Sequence, residues 1–186
     1  FDSSKGEFRL CNVSAGIGGR SYLAYNKVSH TVADFCEWLN QEVANVDTTD
    51  IATCYRLSFE AHFRLVTIHP WVDGNGRTTR LVMNMIQRQL GLVPSIVRKE
   101  DKGEYIQSLV DSRENDDSTI AQDVMLRHHI DNLDRRVLQY QENDIVNPEF
   151  DTVNDTVNSQ NDTVNNLKEG LKRIYVAIQK NPEITH

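Results

Sequence analysis

One stretch of the sequence, from residue 69 to residue 80, brings together side chains that could carry out chemistry on a phosphate. His69 has a pKa near neutrality and can take a proton from an incoming hydroxyl. Asp73 is a hard oxygen ligand, placed for a magnesium ion that also touches phosphates. Arg77 and Arg80 lie three residues apart, so on a helix they share one face and can grip phosphate oxygens in bidentate fashion.

The main chain of the same stretch is suited to an anion. An apolar helical pattern stops before Pro70 and another begins after the loop, where free N–H groups and the positive end of the helix dipole face the same point. Gly74 and Gly76, on either side of Asn75, let the main chain approach a ligand closely. The residues alone therefore predict a site for a magnesium–nucleotide phosphate beside a general base.

The stretch resembles the signature of Fic domains, His-Pro-Phe-x-Asp/Glu-Gly-Asn-Gly-Arg-x-x-Arg. Trp71 stands where phenylalanine is usual, which keeps an aromatic anchor but needs more room. The alternative is a glycine-rich connector with surface arginines, but nothing in that reading requires His, Asp and two Arg around Gly-Asn-Gly. The matching positions are His69, Pro70, Asp73, Gly74, Asn75, Gly76, Arg77 and Arg80.

The resemblance implies an activity. Fic enzymes mostly transfer AMP from ATP to a Ser, Thr or Tyr hydroxyl on another protein and release pyrophosphate. A protein adenylyltransferase is therefore expected, with ATP as substrate, Mg²⁺ as cofactor and a protein with an exposed hydroxyl as partner. By motif position, His69 is the general base and Asp73 holds the metal between the α- and β-phosphates. The positions that bind the nucleotide are Gly74, Asn75, Gly76, Arg77 and Arg80.

Helical periodicity predicts the elements that position this loop. One helix begins at Thr31, and a second spans residues 51–68, with Asp50 as its N-cap and Pro70 marking its end. A third, apolar over a broad face and hence central, follows the loop and stops at Gly91. The three apolar stripes are Val32, Phe35, Cys36, Leu39 and Val43; Ile51, Cys54, Tyr55, Phe59, Phe63 and Val66; and Leu81, Val82, Met85, Ile86 and Leu90.

Two further helices are predicted, one capped by Asp101 and one that opens at Ser118 and runs to about Gln141. In Fic domains the first of these contributes to the adenine pocket, so the resemblance makes Tyr105 a candidate nucleotide contact; core packing is the favoured alternative. The expected inward residues are Tyr105, Ile106, Leu109 and Val110 on the first helix, and Ile120, Val124, Ile130, Leu133 and Val137 on the second.

Three histidines outside the loop receive structural interpretations. His62 lies near the buried stripe of the second helix, so a hydrogen-bonded residue at the edge of the core is favoured over a second base. His128 and His129 are adjacent and must diverge on a helix, which argues against a shared metal.

The N-terminal part predicts a β-hairpin, because two short extended runs flank a glycine-rich turn at residues 14–21. Fic domains carry a hairpin, the flap, in this position relative to the motif, and it clamps the target segment by main-chain pairing. An ordinary exposed hairpin is the alternative. The predicted fold class is mainly α: a Fic-type helical bundle with a short β-hairpin flap, followed by a linker and a terminal helix.

Composition divides the chain into three parts, beginning with a Fic domain at residues 1–143. Residues 144–166 repeat Asp-Thr-Val-Asn and lack Lys and Arg, which favours a polar linker over a weak coiled segment. Residues 167–186 resemble the opening of a winged-helix domain of the kind often found after bacterial Fic domains; a terminal helix packed on the main domain is the alternative. DNA contact is expected only through a recognition helix that this sequence lacks.

Charge and cysteine usage limit the partners and the compartment. The net charge of -7 gives no overall case for nucleic acid, and no run is apolar enough to span a bilayer. Cys11, Cys36 and Cys54 show neither metal spacing nor even pairing, so a reducing, cytoplasmic compartment is expected, with Cys36 and Cys54 in the core. Because the chain begins at Phe1, we expect that an upstream part has been removed.

Other functions stay open at the level of the sequence. Some Fic enzymes use another nucleotide or remove AMP, and a non-catalytic regulatory module linked to a DNA-binding domain is the alternative from another class. Gly76 favours AMP transfer over the kinase-like variant, in which Lys typically stands there. The family's inhibitory pattern, Ser/Thr-x-x-x-Glu-Gly/Asn, is not found, which leaves three alternatives for the restraint: an N-terminal part outside this sequence, a partner, or none at all. In the last case self-modification is expected. A homodimer also stays open.

Overall fold

The computed structural model describes residues 7–14 and 19–146. Most of these residues are helical, so the mainly α class predicted from the sequence is confirmed. The helices are α1 Tyr25–Asn45, α2 Ile51–Ile68, α3 Asn75–Gln89, α4 Lys102–Asn115 and α5 Thr119–Val146. Among the described residues, none of these helices has the length and apolar composition needed to cross a membrane.

Helix α2 lies at the centre of the bundle, because it packs against α1, α3 and α5, while α4 packs on α5. Its two sides belong to two different apolar clusters, and burial of each large side chain contributes about 1.5–3 kcal/mol. The first cluster contains Tyr55, Phe59, Met83, Tyr105, Met125, Leu126 and Leu133. The second contains Val28, Phe35, Ala61, Leu65, Ile68 and Ile86.

Both ends of α2 follow from local sequence, as predicted. The Asp50 carboxylate accepts a hydrogen bond of 3.1 Å from the N–H of Thr53 and so caps the helix. At the other end His69 takes a left-handed conformation, φ 55° and ψ 62°, while its N–H still donates to the carbonyl of Leu65. Pro70 then continues the chain away from the helix axis, so the loop begins at the histidine.

Helix α1 begins at Tyr25, not at Thr31 as the sequence predicted. The reason is tertiary. The N–H of Tyr25 donates to the side-chain oxygen of Asn12 at 3.0 Å, so a distant segment satisfies the first turn. Val28 in that turn is fully buried in the second cluster. The residue at the N-cap position is Ala24, whose methyl side chain cannot form a capping hydrogen bond. The local sequence therefore gives no signal for the start of this helix.

Several residues predicted to face the core are exposed, and these predictions were wrong. Cys36 is exposed, whereas Cys54 is buried as expected. On α3, Leu81 and Met85 are 61% and 62% exposed. The predicted broad apolar face of α3 is therefore only partly covered, because α3 packs mainly against α2 and buries a narrow stripe. Two residues of α4 that were predicted to point inward are exposed as well: Ile106 and Val110.

The predicted β-hairpin is not formed as a pair of strands in the described residues. Ser14 and Ser21 make one isolated antiparallel bridge, and the N–H of Tyr22 donates to the carbonyl of Val13 at 3.0 Å. The two N-terminal arms, residues 7–14 and 19–24, are instead held by side-chain contacts, from Arg9 to the end of α2 and from Arg113 of α4 to Ser21. Most of the glycine-rich turn, at residues 15–18, lies outside the described residues.

The last described helix bears on the predicted division of the chain. Helix α5 begins one residue after Ser118 and continues to Val146, past the predicted boundary at residue 143. The rest of the predicted linker and the segment 167–186, compared above with a winged-helix opening, lie outside the described residues.

Two methionines on α3 give a matched test of this packing. Met83 is fully buried in the first cluster, and Met85 is 62% exposed. We expect Met83→Ala to lower the free energy of unfolding by about 2–5 kcal/mol, since it leaves a cavity beside α2. Met85→Ala should change it by about 0.5 kcal/mol or less. Urea unfolding of both variants measures the difference, and equal losses would contradict the packing of α3.

Candidate active site

The loop between α2 and α3 ends at the amino terminus of α3, where the main chain is arranged for an anion. Gly74 is the N-cap of α3 with φ 82°, a conformation that favours glycine, and its carbonyl accepts the N–H of Thr78 at 2.9 Å. The N–H groups of the next three residues have no partner within the helix, because helix geometry leaves them free. Together with the helix dipole they favour a phosphate or carboxylate.

An open pocket of about 240 Å³ lies at this end of α3. It contains all the predicted site residues except Tyr105. All of its lining residues come from one continuous stretch, 69–80, so the loop and the first turns of α3 form the cavity by themselves. The lining residues are His69, Val72, Asp73, Gly74, Asn75, Gly76, Arg77 and Arg80.

His69 is held in the state that a general base requires. Its Nδ1 lies 3.3 Å from the carbonyl oxygen of Val66. Because a carbonyl only accepts, Nδ1 carries the proton and Nε2 is left as the proton acceptor. Burial lowers the pKa of His69 from 6.5, opposed by the bond to Val66, and the charges of Arg9 and Arg113 lower it further. The imidazole is therefore neutral at pH 7.

Asn75 shapes the loop. It is 3% exposed, its amide NH₂ donates to the carbonyl of Trp71 at 2.7 Å, and its oxygen accepts the N–H of Trp71 at 2.9 Å. Its side chain is thus engaged with the loop, which leaves its main-chain N–H as the group at the helix terminus. Trp71, the departure from the usual phenylalanine, packs against the second apolar cluster, so the larger ring is accommodated.

The charged side chains of the pocket are open to solvent. Arg77 and Asp73 form an ion pair of 3.2 Å with side chains 76% and 92% exposed. Such a pair contributes little stability, so both groups can turn to a ligand at small cost. A Cβ at Gly76 would lie 3.3 Å from Nη1 of Arg80, so glycine at this position keeps room for the guanidinium.

The residues present suit a metal that arrives with a nucleotide. In the part of the chain that the structure describes, no group of three or more His, Cys, Asp or Glu side chains could hold a metal ion. Asp73 is a single exposed carboxylate beside the anion site. Mg²⁺ is commonly held by one or two carboxylates together with substrate phosphates and water, and this donor set fits that pattern.

The family model of the Fic/DOC family matches residues 1–87 of the chain. The chain is therefore similar to the Fic/DOC family over just under half of its length. Curated relatives agree. Protein adenylyltransferase fic-1 of Caenorhabditis elegans is 40% identical over 101 residues, 54% of this chain and 19% of the relative. Protein adenylyltransferase Fic of Drosophila grimshawi is 34% identical over 113 residues, 60% of this chain and 22% of the relative. The chain thus spans only about a fifth of these relatives.

Solved structures show the same fold. A Fic family protein from Desulfovibrio desulfuricans G20 superposes with a TM-score of 0.62 at 21% identity, over 95% of this chain and 54% of that one. Fic-1 from C. elegans superposes with a TM-score of 0.61 at 26% identity, over 74% of this chain and 38% of that one. The chain therefore shares its helical fold with both proteins.

Tyr105 lies behind the pocket. It is 4% exposed in the first apolar cluster, and its hydroxyl is 2.8 Å from Nε2 of His62. Its ring centre lies 5.9 Å from the guanidinium carbon of Arg80. This position agrees with core packing, which was the favoured alternative. The contact of Tyr105 with adenine stays a prediction. His62 is a buried, hydrogen-bonded histidine as expected, and burial lowers its pKa to about 4.

The two adjacent histidines of α5 diverge, as predicted. His128 contacts the carboxylate of Glu104 through Nε2 at 2.8 Å. His129 is buried against the ring of Tyr55, with 4.4 Å between ring centres. Each has its own structural environment, so they do not form a shared metal site.

Sequence reasoning missed Arg9, which supports the loop from behind. Arg9 is 2% exposed, and its guanidinium donates to main-chain carbonyls from three segments. In the sequence, Arg9 is an arginine inside a short alternating stretch, and this pattern does not reveal its hydrogen-bond partners. The acceptors are the carbonyl oxygens of His69 at 2.7 Å, Cys11 at 2.8 Å and Ile68 at 3.5 Å, together with that of Leu23.

Replacement of Arg9 tests this support. We expect Arg9→Met to lower the free energy of unfolding by at least about 2 kcal/mol, because each buried acceptor left unpaired costs about 1–3 kcal/mol. Arg20 lies in the same N-terminal region and is exposed, so Arg20→Met is the matched control and should change stability by about 0.5 kcal/mol or less. Equal denaturant midpoints for the two variants would contradict the role of Arg9.

Proposed function

We propose that this domain is a protein adenylyltransferase, which transfers AMP from ATP to a hydroxyl side chain of a target protein and releases pyrophosphate. One observation carries most of the weight: the Nε2 acceptor of His69 lies at the same pocket as a helix amino terminus and the guanidiniums of Arg77 and Arg80. The relatives named protein adenylyltransferase support the same activity.

In the proposed reaction the target hydroxyl gives its proton to Nε2 of His69. The hydroxyl oxygen forms a bond to the α-phosphorus, the bond from that phosphorus to the bridging oxygen breaks, and its electron pair leaves with pyrophosphate. Arg77 and Arg80 stabilise the negative charge that accumulates on the leaving group. The amides at the start of α3 hold the phosphates in line, and positioning of this kind contributes much of the rate.

A magnesium ion would be held by Asp73, and when bound it neutralises phosphate charge beside the reacting phosphorus. This proposal uses only the carboxylate and the phosphates as ligands. It explains why Asp73 is exposed in the pocket and bound only by a weak ion pair with Arg77, which a nucleotide can replace.

The proposal also covers the N-terminal arms, the assembly and location of the protein, and residues 167–186. The arms at residues 7–14 and 19–24 would act as the flap, pairing with a target segment beyond the bridge at Ser14 and Ser21. Self-modification, a homodimer and a cytoplasmic location are proposed with it. Residues 167–186 would open a winged-helix domain, with DNA contact made by a recognition helix outside this sequence.

Removal of the base is the first test. We expect His69→Ala to reduce transfer about 10²–10⁴-fold while nucleotide still binds, because the phosphate groups remain. Incubation with α-labelled ATP and cell extract, followed by gel detection, measures transfer to protein and to the domain itself. His30→Ala, at an exposed site on α1, is the control. Full activity of His69→Ala would contradict the assignment of His69 as the base. Label transferred from one of the other three nucleotides, or from the γ-phosphate of ATP, would reveal a different donor or a different transferred group.

The pH dependence follows from the lowered pKa of His69. The base must be neutral, so activity is lost as pH falls through the pKa of His69 in the folded domain. Because burial lowers that pKa from 6.5, we expect the acid limb of kcat/KM to lie below pH 6.5. Initial rates between pH 5 and 8 measure it. An acid limb above the ordinary histidine pKa would contradict the neutral state at pH 7.

A further inference from the structure

The imidazole of His69 is stacked on an aromatic ring that lies outside the motif. The ring centres of His69 and Tyr22 are 3.8 Å apart, and their planes differ by 18°. The guanidinium carbon of Arg113, on α4, lies 4.5 Å from the centre of the Tyr22 ring. Tyr22 therefore contacts both a cation from α4 and the base at the end of α2. Stacked aromatic rings attract each other, and so do a cation and the face of a tyrosine ring.

The main chain around Tyr22 is held at three consecutive residues. The carbonyl of Ser21 accepts from Arg113, the N–H of Tyr22 donates to the carbonyl of Val13, and the carbonyl of Leu23 accepts from Arg9. Two parts of the chain, residues 7–14 and α4, thus fix the position of this ring. These main-chain hydrogen bonds therefore support the stack of Tyr22 on His69.

His69 has few other constraints on its side chain. Its ring makes one hydrogen bond, the 3.3 Å contact from Nδ1 to Val66, which is long for a bond that must set the orientation of the ring. The second side-chain torsion of histidine is broad, so a single long bond leaves the direction of Nε2 loosely defined. A ring packed against the imidazole face removes that freedom and leaves the ring edge, with Nε2, open to the pocket.

We propose that Tyr22 is a positioning residue for the transfer reaction: its ring holds the His69 imidazole with Nε2 towards the phosphate pocket, and Arg113 holds the ring of Tyr22. This inference rests on the proposed function, since it assigns Tyr22 a role through the base. It gives the second arm, residues 19–24, a role beyond target pairing, because the same segment that would guide a target also orients the group that deprotonates it.

Tyr22 can be changed without a change of charge near the base. Tyr22→Phe keeps the ring and removes only the hydroxyl, while Tyr22→Leu removes the ring and keeps an apolar side chain of moderate size. The charged groups around His69 stay in place in both variants. They are Arg9 from the first arm, Arg113 from α4, and Asp73, Arg77 and Arg80 in the pocket.

The kinetic test compares these two variants. We expect Tyr22→Leu to lower kcat about 10–100-fold, with the Kd for nucleotide unchanged, because a misplaced reacting group costs rate and not phosphate binding. Tyr22→Phe should restore kcat to nearly the wild-type value. A wild-type kcat for Tyr22→Leu, or a rise confined to the KM for the target protein, would overturn the positioning role.

A spectroscopic test reads the stack without any transfer. In ¹³C- and ¹⁵N-labelled domain, the ring protons of His69, assigned by their loss in His69→Ala, should be shifted upfield by the Tyr22 ring. The shift should persist in Tyr22→Phe and vanish in Tyr22→Leu. Unshifted His69 signals in the wild type would overturn the inference. Shifted signals in a domain that labels no protein would instead remove the proposed function, so the two failures are distinguishable.

Arg113→Gln provides a variant in which Tyr22 is untouched. We expect it to weaken the upfield shift of the His69 ring and to lower kcat. It should also move the acid limb of kcat/KM to higher pH, because the charge of Arg113 lowers the pKa of His69. Equal unfolding midpoints for this variant and the wild type show that any loss is local. An unchanged shift and an unchanged acid limb would overturn the part assigned to Arg113.

Discussion

The buried guanidinium of Arg9 is the interaction on which the active site depends most. A charge withdrawn from water is costly unless its hydrogen bonds are replaced, and the main-chain carbonyls of four residues replace them here. Two of these carbonyls belong to the end of α2, at Ile68 and His69, and two to the N-terminal arms, at Cys11 and Leu23. One side chain therefore joins the arms to the turn that carries the base.

The turn at His69 places two functions close together. The chain leaves α2 in a left-handed conformation and, five residues later, enters α3 through the left-handed Gly74. The imidazole of His69, the proposed base, thus stands at the carboxyl end of one helix and the proposed anion site at the amino end of the next. Because α2 contributes to both apolar clusters, the short loop is mounted on a rigid part of the bundle.

The first apolar cluster lies directly behind the pocket. Tyr105 belongs to the first apolar cluster, yet its ring lies beneath Arg80 and its hydroxyl meets the neutral, buried His62. Burial keeps His62 uncharged, so the nearby guanidinium of Arg80 meets no second cation in the core. The pocket arginine is thereby supported from behind by a polar pair that is itself buried.

Much of the fold and of the site was readable from local sequence, because the signals act over a few residues. Asp50 and Pro70 bounded α2, and the spacing from His69 to Arg80 predicted a base beside an anion site.

Other features depend on groups distant in the chain. The bond from Arg9 to His69 spans 60 residues, Asn12 satisfies the start of α1, and Tyr22 stacks on His69. Periodicity also cannot show which apolar face finds a partner, so the exposure of Leu81 and of Cys36 was decided only by packing. The sequence by itself determined the chemistry of the loop, and the tertiary structure decided what holds its base in place, since that support comes from segments whose approach no local pattern records.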